Sequence, residues 1–133
     1  MKLLLAILVT VGFSFALQAS EKDNILVFDG NEISFISGTD TLFLGDRKQG
    51  SYISVQIKII NESSEIFQIS NVRGSCGLSI PSWPRNAIEP GEEQNIQIRF
   101  DTSSPGNYAK ILTIHSNTHN SRTIIPVIAE IIP

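Results

Sequence analysis

Ile53-Ser54-Val55-Gln56-Ile57-Lys58-Ile59 alternates apolar and polar residues without a break. Successive side chains of a β-strand point to opposite faces, so a two-residue period puts one set in a core and the other in water. The same pattern recurs downstream. Ile96, Ile98 and Phe100 alternate with Asn95, Gln97 and Arg99; Leu112 and Ile114 alternate with Thr113 and His115. Ile125, Val127, Ala129 and Ile131 form a fourth inward set, with Pro126 on the opposite face. Proline has no N–H to give a ladder, so this last strand is expected at a sheet edge or at a bulge. Helical periodicity is absent downstream of residue 20.

The breaks between these runs are turn chemistry. Asp29-Gly30 separates residues 25–28 from 33–36, a short hairpin signal. Pro90-Gly91 and Pro105-Gly106 each precede a strand, with proline fixing the first central angle of a turn and glycine tolerating the positive φ of the second. Residues 61–64 and 117–121 supply further breaks. Residues 80–87, with Pro81, Trp83 and Pro84, are the least regular and read as a connection crossing between sheets. The runs predict seven to nine strands, at roughly the 8–12-residue spacing of a sandwich. One all-β domain is expected over residues 20–133: an immunoglobulin-like antiparallel β-sandwich.

Residues 1–19 read differently. Lys2 carries the only charge, residues 3–17 are apolar but for Thr10, Gly12 and Ser14, and small residues follow. A charged start, an apolar centre and a small-residue exit are the parts of a secretory signal, with cleavage expected after Ala19 and Ala16 as the lesser candidate. The apolar run falls short of the roughly 18 residues of a spanning helix. Export to the periplasm or the cell exterior is therefore expected, with no integral membrane span left. The formal charge is −3, and loss of Lys2 lowers it by one. A mildly acidic chain without Lys/Arg clusters has no electrostatic footprint for nucleic acid or anionic lipid. Cys76 is the sole cysteine, so no intramolecular disulfide can form, and the core must be held by packing.

An ordered series of motifs resembles a known family. It runs through Leu42-Phe43-Leu44-Gly45, Gly50, Asn61 and residues 69–72. Ser75-Cys76-Gly77, residues 88–92, 98–102, Gly106 and residues 114–117 complete it. Over about residues 33–131 the chain resembles the bacterial exported domains catalogued as domain of unknown function fifteen-seventy-three. These are similar in turn to Hydin-type and major-sperm-protein-type immunoglobulin-like modules. The resemblance implies the fold and an exported location, and no assigned activity. Family members commonly carry Cys-Gly-Cys where this chain has Cys76-Gly77-Leu78, so a paired-thiol role does not carry over.

Several chemistries find some of their residue types in this sequence. Cys76 with His115 or His119 has the residue types of a nucleophile and base, but no activating group lies near it in sequence. The same three residues supply part of a blue-copper set, yet Met1 leaves with the signal and no axial methionine remains. Asp23, Asp29, Glu32, Glu92 and Glu93 lack the ligand spacing of a calcium loop. Phosphate loops, paired catalytic carboxylates and nucleophile elbows are missing. Cys76 is expected to be a buried or idle thiol, with an intermolecular disulfide as the alternative. Trp83 is expected to cap the core, or, if exposed, to anchor a partner. No catalytic residue, metal or cofactor is assigned. The expected function is a non-enzymatic binding or assembly module for a protein partner. A thiol- or copper-handling protein centred on Cys76 is the rival.

Overall fold

The computed structural model describes residues 24–133. The expected signal sequence, including Lys2 and Ala19, lies outside the described residues, as does Asp23.

Nine strands follow in order: β1 (Ile25–Phe28), β2 (Ile33–Phe35), β3 (Leu42–Lys48), β4 (Ile53–Asn61), β5 (Ile69–Gly74), β6 (Leu78–Ser82), β7 (Glu93–Phe100), β8 (Gly106–Ser116) and β9 (Arg122–Ile132). They form a five-stranded sheet, β2-β1-β4-β7-β6, and a four-stranded sheet, β3-β9-β8-β5. The alternation in β4 sets its register: Ile57 lies opposite Ile96 and Val55 opposite Ile98, all four buried. Leu42, Leu112, Ile114 and Val127 meet them from the other sheet within one apolar core. Burying each such side chain contributes about 1.5–3 kcal/mol. The Asp29-Gly30 hairpin forms with Phe28 opposite Ile33. All four inward residues of the last strand are buried.

The immunoglobulin-like sandwich is therefore present, with nine strands. Five strand pairs are antiparallel; β1 with β4 and β3 with β9 are parallel.

Two local expectations are corrected. The strand bearing Pro126 is not an edge: β9 lies between β3 and β8. The N–H of Ile111 donates to Ser75 Oγ (2.9 Å) and its carbonyl accepts the Ser75 N–H (2.9 Å). Both backbone groups of Ile111 thus point toward β5, which makes Ile111 and Pro126 a non-hydrogen-bonded pair. The N–H that proline lacks would face the β3 side, and β3 begins only at Leu42, opposite Val127. The bulge belongs to β3, between Phe43 and Gly45. Residues 80–87 do not cross between sheets: Ile80, Pro81 and Ser82 belong to β6, which pairs with β7 in the same sheet. The crossing occurs earlier, at residues 75–77, where β5 of one sheet gives way to β6 of the other. Gly74 makes that corner passable, since a Cβ there would sit 2.1 Å from the Leu78 carbonyl oxygen.

Two asparagines tie the loops at one end. Asn61 is fully buried; its Nδ2 donates to the carbonyls of Glu65 (2.7 Å) and Ile88 (2.9 Å), and its Oδ1 accepts from the Ser63 N–H (2.9 Å) and hydroxyl (2.7 Å). Asn117 accepts from the Gln68 N–H (2.9 Å) and donates to the Ile66 carbonyl (2.9 Å). A buried amide with every group paired avoids the penalty of an unsatisfied polar group, and it holds the irregular segment 62–68 against the strands.

Candidate functional site

Cys76 sits in the corner between the sheets, and its side chain is exposed, which corrects the buried alternative. Beside it, a Cβ on Gly77 would approach Lys110 Nζ to 3.0 Å. The Ser103 N–H and hydroxyl hold the Asp101 carboxyl below the usual carboxylate range, with Lys110 adding to the effect. No histidine joins this corner. Cys76 lies past the Gly74–Leu112 pair, whereas His115 pairs with Asn71 farther along the ladder. Strand rise alone separates Leu112 from His115 by roughly 10 Å. His119 is exposed in the following loop. Among the described residues no three His, Cys, Asp or Glu side chains gather as metal ligands.

Three of the acids singled out in the sequence, Asp29, Glu92 and Glu93, have partners close by. Asp29 Oδ1 accepts from the N–H groups of Asn31 and Glu32 (2.9 Å each), and the Glu32 and Asn31 bonds lower its pKa. Glu92 accepts from the Glu89 N–H (2.9 Å), and Glu93 pairs with Lys58 at 3.3 Å. Trp83 is half-buried against the core, and the Arg85 guanidinium lies 4.1 Å above its ring. The indole thus packs at the rim of the core with a cation over its ring.

The surface that stands out is the outer face of the four-stranded sheet. Side chains on β8 and β9 alternate, so those that do not enter the core share one outward face. Three cross-strand rows result: Phe43, Ile128 and Ala109; then Pro126 and Ile111; then Ile124 and Thr113. Phe43 is 62% exposed and Ile124 52%. The outer face of β4 and β7 is polar over most of its length by contrast, carrying Ser54, Gln56, Lys58, Asn95, Gln97 and Arg99, with apolar Ile25, Val27 and Ile60 half-exposed toward β1. The longer apolar rows, with the more exposed side chains at Phe43 and Ile124, belong to the four-stranded sheet.

Charge brackets the apolar rows at both ends. Toward the start of β9 lie Arg122 and His115, with Arg73 on the adjoining edge strand β5. Together with Thr113, Ile111 and Ile124 they line a shallow concavity of about 300 Å3. Toward the other end lie Glu130 and Asp46, paired across β9 and β3, with Asn107 beside them and Lys48 one step beyond. The arrangement offers an apolar centre between a cationic and an acidic margin, and it brings together no groups suited to bond-breaking chemistry.

The two-residue period of the last strand marks its inward face, Ile125, Val127, Ala129 and Ile131, and leaves the outward one unmarked. Residues 124–132 read Ile-Ile-Pro-Val-Ile-Ala-Glu-Ile-Ile, apolar at nearly every position. Such a run marks a strand with apolar neighbours on both faces. That run is the sequence signal for this outer face.

No curated protein matches this sequence. Among solved structures, the sandwich is similar to a protein of unknown function from Porphyromonas gingivalis W83 (19% identity, TM-score 0.61), over 82% of this chain and 48% of that one. It is similar to the secreted serine protease VesC from Vibrio cholerae (14% identity, TM-score 0.57), over 67% of this chain and 21% of that one. It also resembles the ASH/PapD-like domain 7 of human CEP192 (8% identity, TM-score 0.52), over 71% of this chain and 82% of that domain. The chain thus spans about a fifth of the Vibrio protein and about half of the Porphyromonas protein. At these identities the likeness is one of fold: an immunoglobulin-like, PapD-like sandwich. The family described as "Protein of unknown function (DUF1573)" matches residues 36–131. With most of the sandwich inside that match, this chain belongs to the DUF1573 family.

Proposed function

We propose that this protein is an exported, non-enzymatic binding module that engages a protein through the outer face of its four-stranded sheet. The carrying observation is the apolar centre formed by Phe43, Ile111, Ile124, Pro126 and Ile128, framed by Arg122 and Glu130. Exposed apolar patches with polar margins mark association surfaces more often than catalytic ones. Charged margins fix register and steer encounter. The mild acidity of the chain argues against nucleic acid as the partner. Export rests on the sequence of residues 1–19, and it would put the sheet face where extracytoplasmic proteins can reach it.

A photo-crosslinking amino acid at Ile128, introduced into the full-length gene in the native cell, tests the reading. Protein adducts are expected from Ile128 and not from Gln56, on the polar outer face of the other sheet. Equal crosslinking from both positions, or none from Ile128, would remove the binding role from this face. N-terminal sequencing of the envelope fraction tests export. A chain beginning at Ser20 is expected, and an intact Met1 in the cytoplasmic fraction contradicts it.

A further inference from the structure

The pairing pattern of β8 and β9 makes the proposed binding face self-complementary. Pro126 and Ile111 lie side by side at its middle. Arg122 and Glu130 stand four residues to either side of Pro126 on β9, and His115 and Asn107 stand four residues to either side of Ile111 on β8. At the strand rise this puts each roughly 13 Å from the central row. A twofold axis along that row, in the plane of the face, turns the cationic end of one molecule onto the acidic end of another.

Resting on the binding role proposed for this face, we propose that its partner is a second copy of this chain, packed sheet to sheet about that axis. Pro126 and Ile111 then meet their own counterparts. Ile124 meets the partner subunit's Ile128. Phe43, which has no neighbour across the face at the Ile124 row, leans over the partner subunit's Ile124. Arg122 faces the partner subunit's Glu130, with the partner subunit's Asp46 beside it, and symmetry repeats each contact. His115 faces the partner subunit's Asn107, which leaves no like-charge clash on β8. Arg73 falls at the margin and Lys48 beyond it, so neither opposes the match. Two twisted sheets pack face to face at a strand angle near 30°, about 10 Å apart, close enough for these side chains to interdigitate.

The available area sets the strength. Four strands about 4.8 Å apart and up to 11 residues long give roughly 600 Å2 in plan. That is below the roughly 800 Å2 per partner of a standard stable interface, so a reversible dimer is expected rather than an obligate one.

The experiment is sedimentation velocity on protein isolated from cells expressing the full-length gene, in reducing buffer so that Cys76 cannot crosslink. The wild type is expected to pass from monomer to dimer between about 1 and 300 µM. Arg122→Glu alone and Glu130→Arg alone should each weaken the dimer about tenfold or more, because each reverses two symmetry-related pairs at once. The double swap Arg122→Glu/Glu130→Arg should recover to within about threefold of wild type. Arg122 and Glu130 are roughly 26 Å apart along one strand and cannot pair within a chain, so recovery reports contact between copies. Circular dichroism should be unchanged in all three variants, since both residues are exposed.

A monomer at every concentration overturns the proposal, as does a dimer indifferent to the charge swaps. If the protein is monomeric while Ile128 still crosslinks to a different protein, the second copy is refuted and the binding role stands. If it is monomeric and Ile128 crosslinks to nothing, or only to residues 1–23 of the same chain, both fall.

Discussion

Ile57 and Lys58 are neighbours with opposite duties. Ile57 is fully buried against Ile96, and Lys58 turns outward to Glu93 at 3.3 Å. A carboxylate at position 57 would be buried without a partner, a cost of several kcal/mol against a total stability of ~5–15 kcal/mol. Ile57→Asp is therefore expected to abolish the cooperative urea transition. Lys58→Asp loses one exposed ion pair and should shift stability by no more than about 1 kcal/mol. Equal effects would mean that the register of β4 is wrong. Asn61 carries a comparable burden with a polar side chain. Asn61→Asp keeps the size but turns the group that donates to the Glu65 and Ile88 carbonyls into an acceptor. Two carbonyls then face a buried carboxylate, and a loss of about 2–4 kcal/mol is expected by denaturant titration. Cys76→Ser, at an exposed corner, should stay within about 0.5 kcal/mol.

Strands β8 and β9 show how neighbouring residues divide the work of a ladder. Ile111 sends both its backbone groups to Ser75, while Pro126, directly across, sends its nitrogen the other way. Ile111→Pro removes a bond that the β5–β6 corner depends on and should cost ~3 kcal/mol or more. Pro126→Ala restores an N–H opposite no strand residue and should change stability by less than about 1 kcal/mol; thermal melts of the two variants separate the cases. Inward faces were legible in the sequence because alternation is a local property, written out in Ile53 to Ile59 and in Ile125 to Ile131. The position of β9 was not legible. Whether proline lies at an edge depends on which strand pairs beside it and where that strand starts, which is set by Leu42, more than eighty residues away. The corner at Gly74 was hidden for the same reason, since its need for glycine comes from the Leu78 carbonyl after the chain has turned. The outer apolar face was visible in part, in the unbroken apolar run 124–132. Joining it to Phe43, Ile111 and Arg122 required the pairing.

At the scale of the molecule, the order in which strands appear differs from the order in which they pair. Among the described residues β3 has no sheet neighbour but β9, the ninth of the nine strands. Until β9 is present, Leu42 and Leu44 have no ladder beside them, and the face of β8 that should adjoin it is open. Pairings this distant in sequence also make sandwiches slow, with folding times of milliseconds to seconds. A chain ending at Ser121 would lack Ile125, Val127, Ala129 and Ile131, all buried. At about 1.5–3 kcal/mol for each of the larger three, that loss rivals the whole stability of a small domain. The truncated protein is expected to be unfolded, digested by protease at a rate close to that of a denatured control, while the full chain resists. A resistant truncated form with a cooperative melt would mean that the five-stranded sheet stands alone and that β9 is not the keystone its pairings imply.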